Sequence, residues 1–493
     1  MTTMTTMTTT MTTTNMTTTT MTTTTTAPRR ASWAAAPIAA LALGGCATEG
    51  ALFEASSVGR DLELVADAIL QGPDLAGSLV NLGDIDGDGR ADLAIVRNQD
   101  VRIRYGSALE RGPAPFAPEV KLTTTDPLFF LVTFVTAVGD LDGDGLADFV
   151  IGSPQAIGGA AAPMYVYYGK RQRLTTATFA DAADAALDPT VPPVAGKPAA
   201  TQSNLGFDAV GDLDHDGHAD LMLSRWVDYT GRAADQQNVS LILYGKRWSG
   251  RVTVADAVRR APAALGMYPL ALGDFDGDGY ADVGATLGAS ATSTDNVTRV
   301  SWGGRTRMTG DRAWSAEPVL FAETFAFQRH ADLDGDGADD YLSFVDAAPI
   351  PTTSTRFTMH VRYGGGRPAA GAKVADLPGA DLVAKYDLRR AVVGRVPTVN
   401  AATAIALATT GDPGRVYVVP AGAQRLSGTV ELDNGVSYVG HPREYCVDTA
   451  CTQHKTTAQL GQPVLADLGG DGQPDLLVPE LGSHRSEERR VGK

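Results

Sequence analysis

Short apolar runs separated by turn residues make up most of the chain beyond about residue 59. Runs such as 92–96 (Asp-Leu-Ala-Ile-Val) and 475–478 (Asp-Leu-Leu-Val) are too short for helices that pack on a core. Turn formers are abundant between them, with 54 Gly and 27 Pro among 493 residues. This pattern predicts an all-β fold in which many short strands are joined by tight turns.

One nine-residue loop recurs six times between two such runs. Its first copy is Asp-Ile-Asp-Gly-Asp-Gly-Arg-Ala-Asp, at 84–92. Five copies carry Asp at positions 1, 3, 5 and 9 of the loop: Asp84, Asp86, Asp88 and Asp92; Asp140, Asp142, Asp144 and Asp148; Asp212, Asp214, Asp216 and Asp220; Asp274, Asp276, Asp278 and Asp282; and Asp332, Asp334, Asp336 and Asp340. The sixth copy keeps Asp467, Asp471 and Asp475 but has Gly469 at position 3.

Four carboxylates within nine residues repel one another unless a cation lies among them. Calcium suits such a loop, because it accepts six to eight oxygen ligands with flexible geometry, whereas magnesium requires a tighter octahedron. Position 6 is Gly in every copy, where a sharp turn is expected to need a positive φ. We expect five to six structural calcium ions, each also bound by the position-7 backbone carbonyl. In the five complete copies that carbonyl belongs to Arg90, Leu146, His218, Tyr280 and Ala338.

The EF-hand begins with a similar Asp pattern but closes with a Glu at position 12 and is flanked by helices. Position 12 is never Glu in this chain, and is occupied by Ile95, Ile151, Leu223, Ala285, Ser343 and Val478. The loops are therefore expected to join two β-strands.

The loops recur with a period of about 60 residues, which is typical of a β-propeller. The interval between the fifth and sixth copies is close to two periods, and residues 393–408 fill it with a copy that lacks carboxylates. Arg395, Pro397 and Val399 stand where its metal ligands would be. Later in most repeats a strand ends in an aromatic residue and Gly, which we interpret as packing and turn chemistry. A fourth strand follows, so the sequence predicts seven blades of four strands.

The two ends of the repeat region are expected to close the ring. Residues 59–68 resemble 250–257, which predicts an outer strand that pairs into the last blade. That blade is predicted to be incomplete, because no aromatic–Gly strand follows 476–478. The charged tail at 483–493 differs in composition from the rest and suggests a non-native reading frame.

The N-terminus carries features of export. Residues 1–26 are a low-complexity Met/Thr leader. Arg29 and Arg30 precede a short apolar run at 31–43, which is the order found in an export signal. The ending Leu43-Gly44-Gly45-Cys46 resembles the bacterial lipobox. This resemblance implies a lipoprotein signal peptide at 27–45, lipid on Cys46 and an anchor and linker at 46–58. The repeats predict the propeller at 59–482. An ordinary cleaved signal with an incidental Cys is the alternative.

Two further cysteines, Cys446 and Cys451, lie close together in an exported chain, which favours a disulfide between them. A two-Cys zinc site that includes His441 and His454 is the alternative. No apolar segment reaches about 18 residues, so the lipid on Cys46 would be the membrane attachment.

The string Gly-Asp-x-Asp-Gly-Asp-Gly-x-x-Asp-Leu, repeated over about 59–480, resembles the FG-GAP or VCBS repeats of the integrin α-chain N-terminal propeller and its bacterial relatives. The resemblance implies a seven-bladed propeller, calcium in β-hairpin loops and a surface role in adhesion or ligand binding. The net charge of −16 argues against nucleic acid as a partner, because a phosphate-binding surface needs clustered Lys and Arg.

Three functions compete on this evidence. The first is a cell-envelope lipoprotein, in the outer membrane or at the cell surface, whose calcium-stabilised propeller binds a protein or polysaccharide. The second is a polysaccharide lyase or hydrolase on the same scaffold. Because the chain has no Gly-x-Ser-x-Gly or His-Glu-x-x-His motif, we expect no enzyme activity. The third is an envelope assembly component.

Overall fold

The computed structural model describes most residues from 78 to 481, together with short strands at 40–43, 60–61 and 68–71. The longest gaps between 78 and 481 lie at 192–200, 229–235, 288–296, 345–355 and 395–402. Strands dominate the described residues. Helix there includes the α-helix Phe179–Ala182 and 3-10 turns at Pro127–Phe129, Trp314–Ala316, Val374–Asp376 and Leu432–Asn434. The predicted all-β class is confirmed.

Seven sheets of four or more strands follow one another along the described chain, and we number them 1 to 7. Sheet 1 contains Ser78–Gly83, Asp92–Arg97, Asp100–Arg104 and Val120–Thr123; sheet 2 contains Phe134–Gly139, Asp148–Gly152, Met164–Tyr167 and Ala185–Asp188. Sheet 3 contains Thr201–Gly211, Asp220–Asp228, Gln236–Leu243 and Val258–Ala261; sheet 4 contains Met267–Gly273, Asp282–Leu287, Val297–Ser301 and Val319–Phe321. Sheet 5 contains Ala326–Ala331, Asp340–Phe344, Phe357–Arg362 and Gly379–Ala384; sheet 6 contains Arg390–Gly394, Thr403–Ala408, Arg415–Ala421 and Ser437–Val439. In these six sheets the four strands are antiparallel neighbours, which agrees with four strands per repeat.

Sheet 7 is assembled from both ends of the described chain. Val464–Ala466 and Asp475–Leu481 form its first antiparallel pair, and Gln459–Leu460 also pairs with the latter strand. Ala40–Leu43 and Ala68–Gln71 take the next two positions. Ala40–Leu43 runs parallel to both neighbours, whereas the third strands of sheets 1 to 6 are antiparallel to theirs. The residues assigned to an export signal at 27–45 therefore occupy a strand position in this sheet, and cleavage before Cys46 would remove that strand from the mature chain.

A parallel fifth strand joins most sheets from the next repeat. Gly250–Thr253, which lies between the third and fourth strands of sheet 3, pairs with the outer strand of sheet 2. The same relation brings Ala177–Thr178 to sheet 1, Arg312–Ala313 to sheet 3, Gly428–Glu431 to sheet 5, Arg60–Asp61 to sheet 6 and Gly112–Pro115 to sheet 7. Two small hairpins complete the described strands: Ala156–Ile157 with Ala160–Ala161, and Pro442–Cys446 with Gln453–Thr457.

The expected pairing of 59–68 into the last blade is wrong for its first part. Arg60–Asp61 pairs with Tyr438–Val439 of sheet 6, whereas Ala68–Gln71 belongs to sheet 7. The likeness to 250–257 explains this result. Gly250–Thr253 also pairs with the sheet that precedes its own repeat, so its counterpart at Arg60–Asp61 joins the sheet before sheet 7.

Apolar side chains are buried between neighbouring sheets on both faces of the second strands. In sheet 7, Leu476 and Val478 pack in a cluster with sheet 6, whereas Leu477 packs with Leu79 and Leu93 of sheet 1. Equivalent clusters lie between each of the other neighbouring sheets. The first strands contact one another in chain order, and the first strand of sheet 7 contacts that of sheet 1. Two buried faces explain why these strands are apolar without alternation.

The packing between sheets 7 and 1 can be tested with Leu477→Ala. Leu477 has no exposed surface, so its truncation should lower the free energy of unfolding by about 2–5 kcal/mol through lost burial and a residual cavity. Urea denaturation followed by circular dichroism measures this change. The exposed Gln172→Ala is the control and should stay within about 0.5 kcal/mol. An unchanged midpoint for Leu477→Ala would show that sheets 7 and 1 do not pack together.

Candidate metal centres

The repeated loop connects the first and second strands of sheets 1 to 5, and we number these copies loops 1 to 5. Each folds around its position-1 carboxylate. In loop 2, Asp140 accepts the backbone N–H groups of Gly143, Asp144 and Gly145 at 2.7, 3.0 and 2.8 Å. At least two of these three bonds recur in each of the other four loops. The loop is therefore closed by its own backbone.

The glycines of the loops have the predicted backbone conformation. The position-6 glycine has a positive φ in all five loops, for example 86° at Gly145. Position 4 also has a positive φ, and it is Gly in four loops. Loop 3 has His215 there with φ 58°, a conformation that costs free energy for a residue with a side chain. The shape of the loop is therefore preserved even where the preferred residue is missing.

The position-9 aspartate is buried beneath the loop and accepts two backbone N–H groups. In loop 2, Asp148 Oδ2 accepts from Leu141 at 2.8 Å, and Oδ1 accepts from Gly169 at 2.7 Å. Both bonds recur in the other four loops. Gly169 is the glycine of an aromatic–Gly pair. Sequence reasoning missed that this glycine donates a hydrogen bond to the site. A Cβ at Gly169 would lie 2.6 Å from Leu146 Cβ, so only glycine fits there.

Burial also changes the acidity of this carboxyl group. Desolvation raises the pKa of Asp148 to about 7, although the two N–H donors act in the opposite direction. The pKa of each equivalent aspartate is raised to about 7 for the same reason. Each loop therefore holds one carboxyl group whose ionised form needs further compensation of charge.

Carboxylate oxygens from three aspartates of each loop lie within 4.8 Å of one another. They come from positions 1, 3 and 9 in loops 1 to 4, and from positions 1, 3 and 5 in loop 5. Asp142 Oδ1 and Asp214 Oδ1 are buried without a hydrogen-bond partner, and these side chains are only 0 % and 5 % exposed. A buried anionic oxygen without a partner is costly, and a cation would supply the missing interaction. The clusters could therefore hold metal ions.

An arginine from the following sheet contacts each of the five loops. Arg247 bonds Asp142 Oδ2 and lies 4.0 Å from Asp144 Oδ2, with its guanidinium 4.9 Å from the ring centre of Tyr168. The equivalent arginines are Arg173, Arg307, Arg367 and Arg425. Sequence reasoning missed them because each lies 87 to 105 residues after the position-3 aspartate that it contacts. Four of the five arginines lie within four residues after an aromatic–Gly pair, and this spacing could have identified them.

The position-7 residues are placed by their N–H groups. In loop 2 the N–H of Leu146 donates to Asp144 Oδ1 at 3.0 Å, and the same bond forms in the other four loops. The role of the position-7 carbonyl as a metal ligand stays a prediction.

The last copy of the loop, 467–475, is described in part. Asp467 Oδ1 accepts the N–H of Gly470 at 2.7 Å, and Asp475 Oδ2 accepts that of Leu468 at 3.3 Å. Asp471 lies outside the described residues, so a metal site in this copy stays a prediction.

Other predicted features also lie outside the described residues. These are the leader at 1–26, the tail at 483–493, Cys46, His441, Cys451 and the substituted positions Arg395, Pro397 and Val399. Cys446 ends the strand Pro442–Cys446, but its side chain is not described. The disulfide, its zinc alternative and the lipid therefore stay predictions. None of the helices in the described residues is both long and apolar enough to span a membrane.

Comparison with known families supports the assignment of the repeats. Residues 133–167 match the FG-GAP repeat. This segment contains the first three strands of sheet 2 and the whole of loop 2, so the match coincides with one complete carboxylate cluster. Comparison with curated proteins gives no match.

The acidity of the position-9 aspartates predicts a pH dependence in calcium-free buffer. Their folded pKa of about 7 is higher than the usual 3.8, so the folded state binds these protons more tightly than the unfolded state. Their contribution to stability is therefore complete below about pH 4 and is lost as the pH rises through about 7. The urea midpoint of wild type, measured with a chelator from about pH 5 to about pH 8, should fall.

Asp148→Asn is the control for this experiment, because an amide does not titrate. Its midpoint should fall less steeply with pH than that of wild type. A wild-type midpoint that rises over this range would contradict the prediction.

Proposed function

We propose that this chain is a lipid-anchored, calcium-stabilised seven-bladed β-propeller that acts as a ligand-binding or adhesion scaffold at the cell surface or in the envelope. The observation that carries the proposal is the fivefold recurrence of one carboxylate cluster, with a buried unpartnered oxygen in loops 2 and 3. The FG-GAP match at 133–167 supports it, since such repeats suggest adhesion-type propellers.

The donor set favours calcium over other metals. All clustered groups are carboxylates, and hard oxygen donors suit calcium and magnesium better than zinc or copper. Positions 5 and 6 of all five loops are exposed, so water can complete the larger and more flexible coordination shell of calcium. When bound, calcium would neutralise the crowded carboxylates of a hairpin loop. The chain's own residues close the loop, orient the carboxylates and bury the position-9 group.

Three observations support a closed ring of seven blades. The first strands contact one another in cyclic order, and an apolar cluster lies between each neighbouring pair of sheets. In addition, the Ala91 N–H donates to the Asp467 carbonyl at 2.7 Å, which links the last loop to loop 1. The same bond joins loop 1 to loop 2, through Ala147 and Asp84, at 3.0 Å. Sheets 7 and 1 therefore meet in the same way as other neighbours.

Calcium removal tests the metal in this proposal. Because calcium would bind the folded chain alone, it should raise Tm, and an ion at about 100 times Kd adds about 2.7 kcal/mol for one site. Tm is measured with calcium, with magnesium and with a chelator, and the number of bound ions is measured by titration calorimetry. We expect a clear rise with calcium, a smaller one with magnesium and at least five bound ions. An unchanged Tm after chelation would refute a structural role for calcium.

Sheet 5 offers one observation in favour of an enzyme. Ser343, His360 and Asp381 are direct neighbours across three adjacent strands, and His360 Nδ1 lies 2.8 Å from Asp381 Oδ1. This is the residue order of a nucleophile, base and acid. However, Ser343 is fully buried and its Oγ has no hydrogen-bond partner. Arg362 Nη2 also donates to Asp381 Oδ1 at 2.7 Å, as in a structural ion pair. A polysaccharide-active enzyme is therefore our second candidate.

A soluble variant can separate the candidate functions. Cys46→Ala should remain soluble after cell fractionation, whereas the unaltered chain should sediment with membranes if Cys46 carries lipid. The soluble chain is then incubated with an array of polysaccharides and with envelope proteins. Retention of a polysaccharide or protein without release of product is the expected result. Release of shortened saccharides that Ser343→Ala abolishes would instead establish an enzyme, and capture of envelope components alone would favour the assembly role.

A further inference from the structure

Five arginines have the same position relative to five carboxylate loops. Each bonds or pairs with Oδ2 of the aspartates at positions 3 and 5 of the loop in the preceding sheet. Each also stacks on the aromatic residue at the end of the third strand of that sheet, 4.4 to 4.9 Å from the ring centre. The pairs are Arg173 with Tyr105, Arg247 with Tyr168, Arg307 with Tyr244, Arg367 with Trp302 and Arg425 with Tyr363. A contact repeated five times is a feature of the repeat.

The arginine accompanies the carboxylates of the preceding loop. Sheet 6 demonstrates this most clearly, because its own loop copy has Arg395, Pro397 and Val399 in place of aspartates. Its segment nevertheless supplies Arg425, which bonds Asp334 and Asp336 of loop 5. If the arginine only packed its own repeat, its presence would not depend on whether the preceding loop carries aspartates.

The position-3 carboxylate has two oxygens with different partners. In loop 3, Asp214 Oδ2 bonds Arg307 Nε, whereas Asp214 Oδ1 is buried and has no hydrogen-bond partner. Asp214 also belongs to the cluster formed with Asp212 and Asp220. The arginine therefore fixes one oxygen of the carboxylate and leaves the other for a cation. Loop 2 has the same arrangement, with Arg247 on Oδ2 of Asp142 and no partner on Oδ1. In loops 1, 4 and 5 the arginine again bonds Oδ2, and Oδ1 accepts the position-5 N–H at 3.1 to 3.3 Å.

The negative charge of loop 3 is sufficient to accommodate a calcium ion and the Arg307 guanidinium together. Its four carboxylates carry four negative charges, and one calcium ion together with Arg307 would compensate three of them. Planar guanidinium nitrogens can bond two carboxylates at once while the group stacks on Tyr244. The arginine can thus remain in place when the metal binds.

Backbone bonds from the following sheet hold the same loop. The Ala281 N–H of sheet 4 donates to the Asp212 carbonyl at 3.1 Å, and the Gly304 N–H donates to the Leu213 carbonyl at 2.9 Å. Gly304 lies three residues before Arg307, so a single turn after the third strand of sheet 4 supplies both the Gly304 N–H and the Arg307 side chain to loop 3.

We propose that Arg307 and its four equivalents are positioning residues that orient the position-3 carboxylate for calcium and so couple metal binding in one sheet to packing of the next. This inference rests on the proposed binding of calcium. Mutation of a side chain that hydrogen-bonds to a metal ligand typically lowers the metal affinity by about 10- to 100-fold. Simple competition between two cations would have the opposite effect, since removal of Arg307 would then strengthen calcium binding.

The test compares Arg307→Gln with Arg305→Gln. Arg305 is exposed and lies two residues earlier in the same turn, which makes it a matched control. Calorimetric titration of Arg307→Gln with calcium should show one of the five sites weakened by about tenfold. The rise in Tm on addition of calcium should also be smaller than in wild type, whereas Arg305→Gln should match wild type in both measurements.

The difference between the Tm values with and without calcium separates coupling from a structural role. An arginine that only packs the sheets would lower both values equally, and an unchanged or enlarged calcium increment in Arg307→Gln would overturn the inference alone. Wild type that binds no calcium would overturn the calcium proposal and this inference together. If Arg307→Gln does not fold, Arg307→Lys serves instead, because it keeps the charge but not the two-pronged geometry. Affinity at the wild-type level in Arg307→Lys would overturn the positioning role.

Discussion

The buried carboxylate at position 9 holds together three parts of each repeat that are separated along the chain. It begins the second strand, accepts an N–H from the start of the loop and accepts another from the glycine just beyond the third strand. An ionised carboxylate is costly to bury, and two N–H donors offset that cost only in part. The raised pKa records this imbalance. The remaining negative charge requires a proton or a cation. The same buried carboxylate therefore determines both the shape of the hairpin and the binding chemistry of its loop.

Contacts between loops carry this arrangement from sheet to sheet. The position-8 N–H of one loop donates to the position-1 carbonyl of the loop before it, from the copy at 467–475 through loops 1 to 5. Position 8 of the last copy is Pro474, which has no N–H. The last copy therefore cannot donate this bond to the loop before it.

Local chemistry was largely predictable from the sequence, whereas contacts between repeats were not. The Asp spacing and the position-6 glycine identified the loops, and short apolar runs identified their flanking strands. The bond from Gly169 to Asp148 was missed because a glycine after an aromatic residue has several structural uses. Arg247 lies 105 residues after Asp142, so no local pattern connects them. The pairing of Arg60–Asp61 with sheet 6 depends on how the chain passes from one sheet to the next. The likeness to 250–257 predicts this pairing only after the structure shows that Gly250–Thr253 pairs with the preceding sheet.

The donated fifth strands have a consequence for how the chain is made. Among the described residues, the outer edge of six of the seven sheets is covered by residues that lie beyond the third strand of the following repeat, as Gly250–Thr253 covers the edge at Ala185–Asp188. During synthesis, a newly emerged sheet therefore keeps an open edge until about one more repeat has left the ribosome. For sheets 6 and 7 the order of synthesis is reversed. The residues that cover their edges, at 60–61 and 112–115, are made before the C-terminal strands with which they pair. Those early segments are the part of the chain most in need of protection before synthesis ends.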